Sequence, residues 1–240
     1  MSKIDVSIIV ATFNAGKFLK TALDSVKKQS YANWECIVVD GKSSDNTIDI
    51  VRLYEKDDSR FKHISEKDKG IYDAFNKGWR MAKGEWVYYL GADDALDENA
   101  LKNLFEKEKK CDIVYGDIIF RNKRGLKYAR SLPVNKLKGN MISHQSIFMR
   151  RDLIDRLGGF DLSYKVCADF DLFQRGLLVA NGVMYEPCYI AVFEAGGASS
   201  GGYVFLKERF LLHKKYGGAL LAISDILVET LKVLYRKMTK

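Results

Sequence analysis

Residues 6–30 read VSIIVATFNAGKFLKTALDSVKKQS, and the architecture follows from how this stretch divides. Residues 6–11 form a nearly continuous apolar run, as expected of a strand buried on both faces. Thr12-Phe13-Asn14-Ala15-Gly16 breaks the run. Leu19, Ala22, Leu23 and Val26 then recur at helical spacing, so the stretch reads strand, loop, helix. The same order recurs downstream. Residues 36–39 are a second apolar strand ending at Asp40, and the polar turn 41–47 leads into a helix bearing Ile48, Val51 and Leu53. Residues 74–81 read as a helix closed by Gly84, and residues 86–90 as a strand running into Gly91-Ala92-Asp93-Asp94. Leu101, Leu104 and Phe105 mark a further helix, and residues 112–120 a further strand. Strands alternating with helices imply an α/β fold with a mainly parallel central sheet flanked by helices. In such sheets ligands bind outside the carboxyl ends of the strands, which makes Thr12 to Asn14, Asp40 and Asp93-Asp94 neighbours in space.

Beyond residue 120 the alternation weakens. Residues 121–140 are basic and poorly patterned, expected as a mobile loop or short hairpin. Gly158-Gly159-Phe160 is a turn, residues 171–179 read as a helix, 195–202 (AGGASSGG) as a flexible loop, and the last thirty or so residues as helical.

The 240 residues are 47% hydrophobic and 29% charged, which suits one large domain or a domain with a small appendage. Two prolines and the lack of a low-complexity tract argue against a linker-joined array. Cys36, Cys111, Cys167 and Cys188 are scattered, with no CxxC pair and no histidine at ligand spacing, so reduced thiols are expected rather than a zinc site. No apolar run reaches the roughly 18 residues of a membrane span, and the expected location is cytoplasmic. The net charge of +8 would suit phosphate-bearing substrates, an anionic membrane surface or nucleic acid. No nucleic-acid-binding module accompanies it, so nucleic acid is not expected as a partner.

Three acidic positions could carry chemistry. Asp40, closing a strand, could accept hydrogen bonds from a ring N–H or a ribose hydroxyl, or could serve as a helix cap like Asp45. Asp93-Asp94 could offer carboxylate oxygens to a hard divalent cation, or could cap the helix that follows. Asp169-Phe170-Asp171 enters a helix; Asp169 could act as a general base, and capping is the alternative, one that suits Asp171 better.

In combination these segments resemble the family-two glycosyltransferases, inverting enzymes of the GT-A (Rossmann-like) nucleotide-diphospho-sugar transferase fold. The resemblance rests on VSIIVATFNAGKFLKTALDSVKKQS, ECIVVDGKSSDNTIDIV, EKDKGIYDAFNKGWRMAKGEWVYYLGADD and HQSIFMRRDLIDRLGGFDLSYKVCADFDL, which keep the family's order over about the first three-quarters of the chain. It implies a domain over residues 1–215, with a nucleotide-sugar half at 1–120 and an acceptor-side half at 121–215, followed by a helical tail at 216–240. It further implies that Thr12, Asn14 and Asp40 hold the nucleotide, with Asp40 at the base, usually uracil. Asp68 and Asn76 would line the donor cleft, with Ala92 beside Asp93 on its rim. Asp93 matches the last acid of the metal-binding Asp-x-Asp motif and would hold Mn2+ or Mg2+. Asp169 matches the Asp of the Glu-Asp pair, the catalytic base. Asp94, His144 and Gln145 would lie in the donor-sugar and acceptor region, with a structural role equally open for His144. His213 is expected to be structural or surface-exposed.

Two departures stand out. Gly91 replaces the first acid of Asp-x-Asp, and Ala168 replaces the Glu of the Glu-Asp pair. The implied partners are a nucleotide-diphospho-sugar, a UDP-sugar by the family's habit, and a saccharide or lipid-linked acceptor in cell-surface polysaccharide or glycolipid synthesis. Two alternatives are a catalytically silent sugar-nucleotide-binding subunit, which Gly91 and Ala168 would allow, and a sugar nucleotidyltransferase, for which ATFNAGKF lacks the Gly-rich phosphate loop. Leu220, Ile223, Leu227, Leu231 and Leu234 form an apolar stripe at helical spacing, expected first to pack on the domain. The alternative is peripheral docking on the cytoplasmic leaflet, assisted by Lys232, Arg236, Lys237 and Lys240.

Overall fold

The computed structural model describes residues 4–122, 125–194 and 202–238, with side chains as far as residue 229. In chain order the elements are β1 (Val6–Thr12), α1 (Leu19–Lys27), β2 (Trp34–Asp40), α2 (Thr47–Asp57), β3 (Phe61–Ser65), α3 (Ile71–Met81), β4 (Trp86–Gly91), β5 (Ala95–Leu96) and α4 (Ala100–Phe105). They continue with β6 (Ile113–Asn122), β7 (Gly125–Ala129), β8 (Ile147–Arg150), α5 (Arg151–Leu157), α6 (Ala168–Val179), β9 (Val183–Glu194), α7 (Tyr203–Gly217) and α8 (Ala219–Met238). The loop expected over AGGASSGG lies, but for its last glycine, outside the described residues.

One sheet organises the chain, in the order β3-β2-β1-β4-β8-β6-β9-β5, with β7 hairpinned onto β6. The first four strands are parallel, as expected of the βαβ alternation. Past β4 the sheet is mixed: β8 runs antiparallel to both β4 and β6, while β9 returns parallel to β6. Residues 121–122 and 125–129 thus belong to the antiparallel β6–β7 pair, the second of the two forms expected over 121–140.

Both faces are covered, and the period-two geometry of a strand sorts the side chains. Ile8 and Val10 of β1 join Leu19, Leu23, Val38 and Phe148 on the face under α1 and α4. Ile9 points the other way, into Phe75, Trp79, Leu153 and Leu172 beneath α3, α5 and α6. Each such fully buried side chain contributes about 1.5–3 kcal/mol over its exposed state. A smaller cluster of Cys167, Phe170, Leu212 and Tyr216 joins α6 to α7.

The tail behaves differently from the first expectation. Ala222 is buried and Asp225 accepts two hydrogen bonds of 2.6 Å from Arg209, so α8 is held to α7 by a small residue and an ion pair. Its apolar stripe faces away: Leu220 is 86%, Ile223 51% and Leu227 60% exposed. The stripe therefore does not pack on the domain as far as side chains are described; those of Leu231 and Leu234 lie beyond them.

Candidate active site

Strand register brings the chemistry to one rim. Thr12 is level with Asp40, Ala11 with Gly91, and Asp40 with Ser65, so the carboxyl ends of the four parallel strands lie side by side. Beyond that rim opens a cleft of about 830 Å3, a size that accommodates a drug-sized or nucleotide-sized ligand. Its floor is Ala11 to Phe13 and Gly91 to Asp94. One side is the start of α3, with Ile71, Tyr72 and Phe75. The other is formed by residues 143–145, Asp169 and Phe193, and α7 contributes Phe205 and Arg209.

Thr12, Asp68, Ala92, Asp93, Asp94, His144, Gln145 and Asp169 all line this cleft. Three expected residues do not. Asp40 is fully buried; its carboxylate accepts hydrogen bonds from the Ser43 amide (3.0 Å), the Ser43 and Ser65 hydroxyls and, at 3.3 Å, the Thr12 hydroxyl. Burial by itself would raise its pKa, but these donors outweigh it and hold the carboxyl below its usual range. In this arrangement Asp40 ties the 41–47 loop to β1 and β3. Asn14 braces the same loop from the other side. With φ of 51° it turns back to accept the Ser44 amide at 2.9 Å, while its own amide donates to Ser43 Oγ. Asn76 is the clearest departure. It is buried in the core, its Nδ2 donating to the Phe160 carbonyl and its Oδ1 accepting from the Phe160 amide and Trp79 Nε1, so it staples α3 to the 158–160 turn.

Asp68 folds over the start of the 41–47 loop. A Cβ at Gly41 would lie 2.5 Å from Asp68 Oδ2, so only glycine allows this approach behind Asp40. Asp94 is turned into the protein, accepting from Gln145 Nε2 and from the Glu194 amide, each at 3.0 Å. Burial pushes its carboxyl above the ordinary value, which makes it a poor cation ligand. Asp93 differs, forming no hydrogen bond with the described residues while lining the cleft. Among the described residues no group of three or more His, Cys, Asp or Glu side chains could enclose a metal. Magnesium-like cations are commonly held by one or two carboxylates with substrate phosphates and water completing the shell, and Asp93 fits that pattern once a diphosphate is present.

The tightest constellation lies at the start of α6. Asp169 Oδ2 meets His144 Nδ1 at 2.9 Å, and Oδ1 accepts from the Tyr72 hydroxyl at 3.0 Å and from the Phe170 amide at 2.9 Å. Burial acts to raise the Asp169 pKa, but the hydrogen bond and charge of His144, with the Phe170 and Tyr72 donors, bring it below the usual carboxylate value. The turn before Asp169 is fixed from α7: Glu208 accepts the amides of Lys165 (2.8 Å), Val166 (3.0 Å) and Cys167 (3.0 Å). Asp171 is not a cap. Its buried carboxylate accepts from Arg175 Nε and the Tyr216 hydroxyl at 2.7 Å and from Lys215 Nζ at 3.0 Å, bolting α6 to α7. His213 is buried rather than exposed, donating from Nδ1 to the Gly139 carbonyl at 2.6 Å, and it does not line the cleft.

Sequence reasoning missed Tyr72, Lys165 and Arg209 as cleft residues. Tyr72 could have been flagged by its place in KDKGIYDAF beside Asp68; the two cations carry no local signal, because the fold alone brings them to the cleft.

Known proteins share both the sequence pattern and the fold. A family model described as glycosyl transferase family 2 matches residues 7–167. A PGL/p-HBAD biosynthesis glycosyltransferase of Mycobacterium bovis is 36% identical over 206 residues, covering 81% of this chain and 78% of the relative. Among solved structures, S. aureus TarS 1–349 in complex with UDP-GlcNAc superposes with a TM-score of 0.71 at 22% identity over 87% of this chain; the chain spans 64% of that protein. The mannosyltransferase PcManGT of Pyrobaculum calidifontis, in complex with GDP-Man and Mn2+, gives 0.59 at 20% identity, covering 85% of this chain and 59% of the other. The two structures share the GT-A fold with this chain, and the family match extends over two-thirds of its length. The chain belongs to glycosyl transferase family 2 and is a glycosyltransferase.

Proposed function

We propose that this enzyme transfers a sugar, with inversion, from a UDP-sugar to a hydroxyl of a saccharide or lipid-linked acceptor in cell-surface polysaccharide or glycolipid assembly. The observation that carries the reading is a single cleft lined by two kinds of acid. One is Asp93, a carboxylate with no hydrogen bond from the described residues; the other is the hydrogen-bonded base assembly of Asp169 with His144. The UDP-GlcNAc complex of TarS supports the donor class, and the PGL/p-HBAD biosynthesis name of the mycobacterial relative supports a biosynthetic role. Residues 1–120 would supply most of the donor half, 121–215 the acceptor half, and 216–240 the tail.

A divalent cation, Mn2+ or Mg2+, held by Asp93 and the donor's phosphates, would neutralise charge on the leaving diphosphate. The chain's own part is alignment and proton removal. Thr12, Ala92 and Asp68 border the donor, with Asp40 and Asn14 holding the loop behind it, while the Asp169–His144 assembly receives the acceptor's proton during one in-line displacement. Asp94 and Gln145, bonded to one another, shape the wall at the sugar end.

The tail fits a peripheral membrane role. No described helix is long and apolar enough to cross a bilayer. Yet α8 turns Leu220, Ile223 and Leu227 outward, and Lys232, Arg236, Lys237 and Lys240 follow in sequence, a combination suited to an anionic leaflet bearing a lipid-linked acceptor.

The test is a panel of nucleotide sugars scored for thermal stabilisation with and without Mn2+, followed by nucleoside diphosphate release with candidate acceptors. Stabilisation by UDP-sugars and acceptor-dependent release of UDP are expected. Stabilisation by no nucleotide sugar in either condition would refute the reading.

A further inference from the structure

A second hollow, of about 160 Å3, adjoins the cleft where β6 and β7 meet residues 130–143. The two spaces share Phe120, Met141, Ile142 and Ser143 as a common wall, and the rest of the smaller one is aliphatic but for Arg130 and Ser131. Its hydroxyls are already spent. Ser131 donates to the Gly116 carbonyl at 2.6 Å, and Ser143 donates to Gln145 Oε1. Arg130 is exposed. The adjoining side of the cleft is equally short of free polar groups. Gln145 Nε2 is bonded to Asp94, Arg209 grips Asp225 with two donors, and Asp169 is engaged by His144, Tyr72 and the Phe170 amide. Beside them the wall is Val166, Phe193 and Phe205. A glycan laid on this wall would leave hydroxyls unpaired, which disfavours binding, whereas an apolar group gains by leaving water. A cavity of about 150 Å3 lined by aliphatic and aromatic side chains takes up one benzene-sized group.

We propose that this hollow binds the apolar aglycone of the acceptor, an alkyl chain or an aryl ring, and that Phe120, Ala129 and Met141 set that specificity. The inference rests on the transfer reaction proposed above and narrows it: the enzyme glycosylates an acceptor close to its apolar end rather than lengthening a long glycan. The position fits. Ile142 is two residues from His144, at most about 7 Å of backbone, and His144 lies 2.9 Å from Asp169. An aglycone held at Ile142 therefore keeps the hydroxyl it carries, directly or across one sugar, within reach of Asp169. The same wall is tied to the tail. Gly139 packs so closely on the end of α7 that a Cβ there would lie 2.4 Å from Gly217 Cα, and its carbonyl accepts from His213 at 2.6 Å. The hollow and the outward stripe of α8 thus hang from one junction, which suits an acceptor whose apolar end emerges from a lipid surface.

The test reads aglycone binding apart from turnover. The chain has six methionines, so carbon-13 NMR of their methyl groups in the ligand-free enzyme, assigned with Met141→Leu, reports on the hollow. Phenyl glucoside and hexyl glucoside are expected to move the Met141 resonance at concentrations where methyl glucoside does not, and the two arms separate an aryl from an alkyl preference. Ala129 lines the hollow and not the cleft. Ala129→Phe should abolish the shift and Ala129→Leu reduce it, while the thermal stabilisation given by the donor stays as in wild type. In turnover with alkyl glycosides, acceptor KM should fall about fourfold for each added methylene until the hollow is full, and A129F should erase that trend. A Met141 resonance that ignores the aglycone, or that still responds in A129F, overturns the inference. So does an acceptor KM independent of aglycone length in an enzyme that turns over. If no nucleotide sugar supports transfer, the reaction proposed above fails, and the Met141 shift still decides the aglycone site.

Discussion

Asp94 occupies the space in front of Gly91: a Cβ built on Gly91 would collide with Asp94 Oδ2 and lie 3.0 Å from its Cγ. The position that carries the first acid of the metal motif in similar enzymes is thus filled from the side by an acid three positions on. Gly91→Asp should not simply restore a two-carboxylate site. It must first displace Asp94 from Gln145 and the Glu194 amide, at a cost of about 1–3 kcal/mol. A lowered Tm for both G91A and G91D is the expected result, and an unchanged Tm for G91D would contradict the packing described.

Cation dependence should run through Asp93 alone. Addition of a chelator is expected to abolish turnover, and Mn2+ in excess to restore it. With donor and Mn2+ each near a hundred times its dissociation constant, each ligand contributes about 2.7 kcal/mol of stabilisation. D93N should retain its fold but lose the part of the thermal shift that depends on Mn2+. A D93N protein whose shift still responds to Mn2+ would place the cation elsewhere.

Asn76 separates a staple from a ligand contact. Asn76→Ala leaves the Phe160 amide and the Trp79 indole without their acceptor, and each buried unpaired group costs about 1–3 kcal/mol. A clear drop in chemical-denaturation stability is expected, with donor KM changed little in whatever fraction remains folded. A stable variant with a raised donor KM would return Asn76 to the cleft.

Asp171 should make stability pH-dependent. Burial favours its neutral form, but the Tyr216, Arg175 and Lys215 donors outweigh this and lower its pKa below the ordinary 3.8. A carboxyl whose pKa falls on folding stabilises the folded state above its unfolded value and loses that contribution as pH drops toward the folded one. Asp171→Ala should therefore cost about 3–5 kcal/mol near neutrality, the cost of stranding buried partners. The gap from wild type should narrow as pH falls below 3.8. A gap that is constant down to pH about 2 would argue against an ionised Asp171.

The outward stripe of α8 predicts vesicle binding. Sedimentation with vesicles rich in anionic lipid is expected, weaker with neutral lipid and weaker in high salt. Leu220→Glu combined with Leu227→Glu should release the protein, since each buried leucine contributes about 1.5–3 kcal/mol. Neither residue is buried in the fold, so folding should be unaffected. Unchanged sedimentation of the double variant would remove the stripe from the membrane reading.

Strands β1, β2, β4 and most of β6 were legible because they are buried on both faces and therefore apolar almost without interruption, as in VSIIVA and CIVV. Strands β3, β8 and β9 were not. β9 carries Glu186 and Pro187 and is half-covered for most of its length, β8 is only four residues long, and β3 is an edge strand buried fully only at Phe61. None of these leaves a clean period. The site shows the same division. Residues at strand ends, such as Thr12 and Asp93, could be placed on the rim from topology alone. The direction of a carboxylate could not: Asp93 and Asp94 are adjacent in sequence, yet only Asp94 is captured, by an amide a hundred positions away. Likewise nothing in the string of letters joins His144 to Asp169, or distinguishes Asn76 as a staple.

The grip of Glu208 on the peptide groups of residues 165–167 has a consequence for the chain as a whole. A version ending ahead of Tyr203 would strip three N–H groups of their acceptor immediately upstream of Asp169 and loosen the corner that holds this carboxylate in the cleft. Since α7 is itself tethered to α8 through Arg209 and Asp225, whatever seizes the terminal helix, a lipid surface included, also holds the latch on that corner.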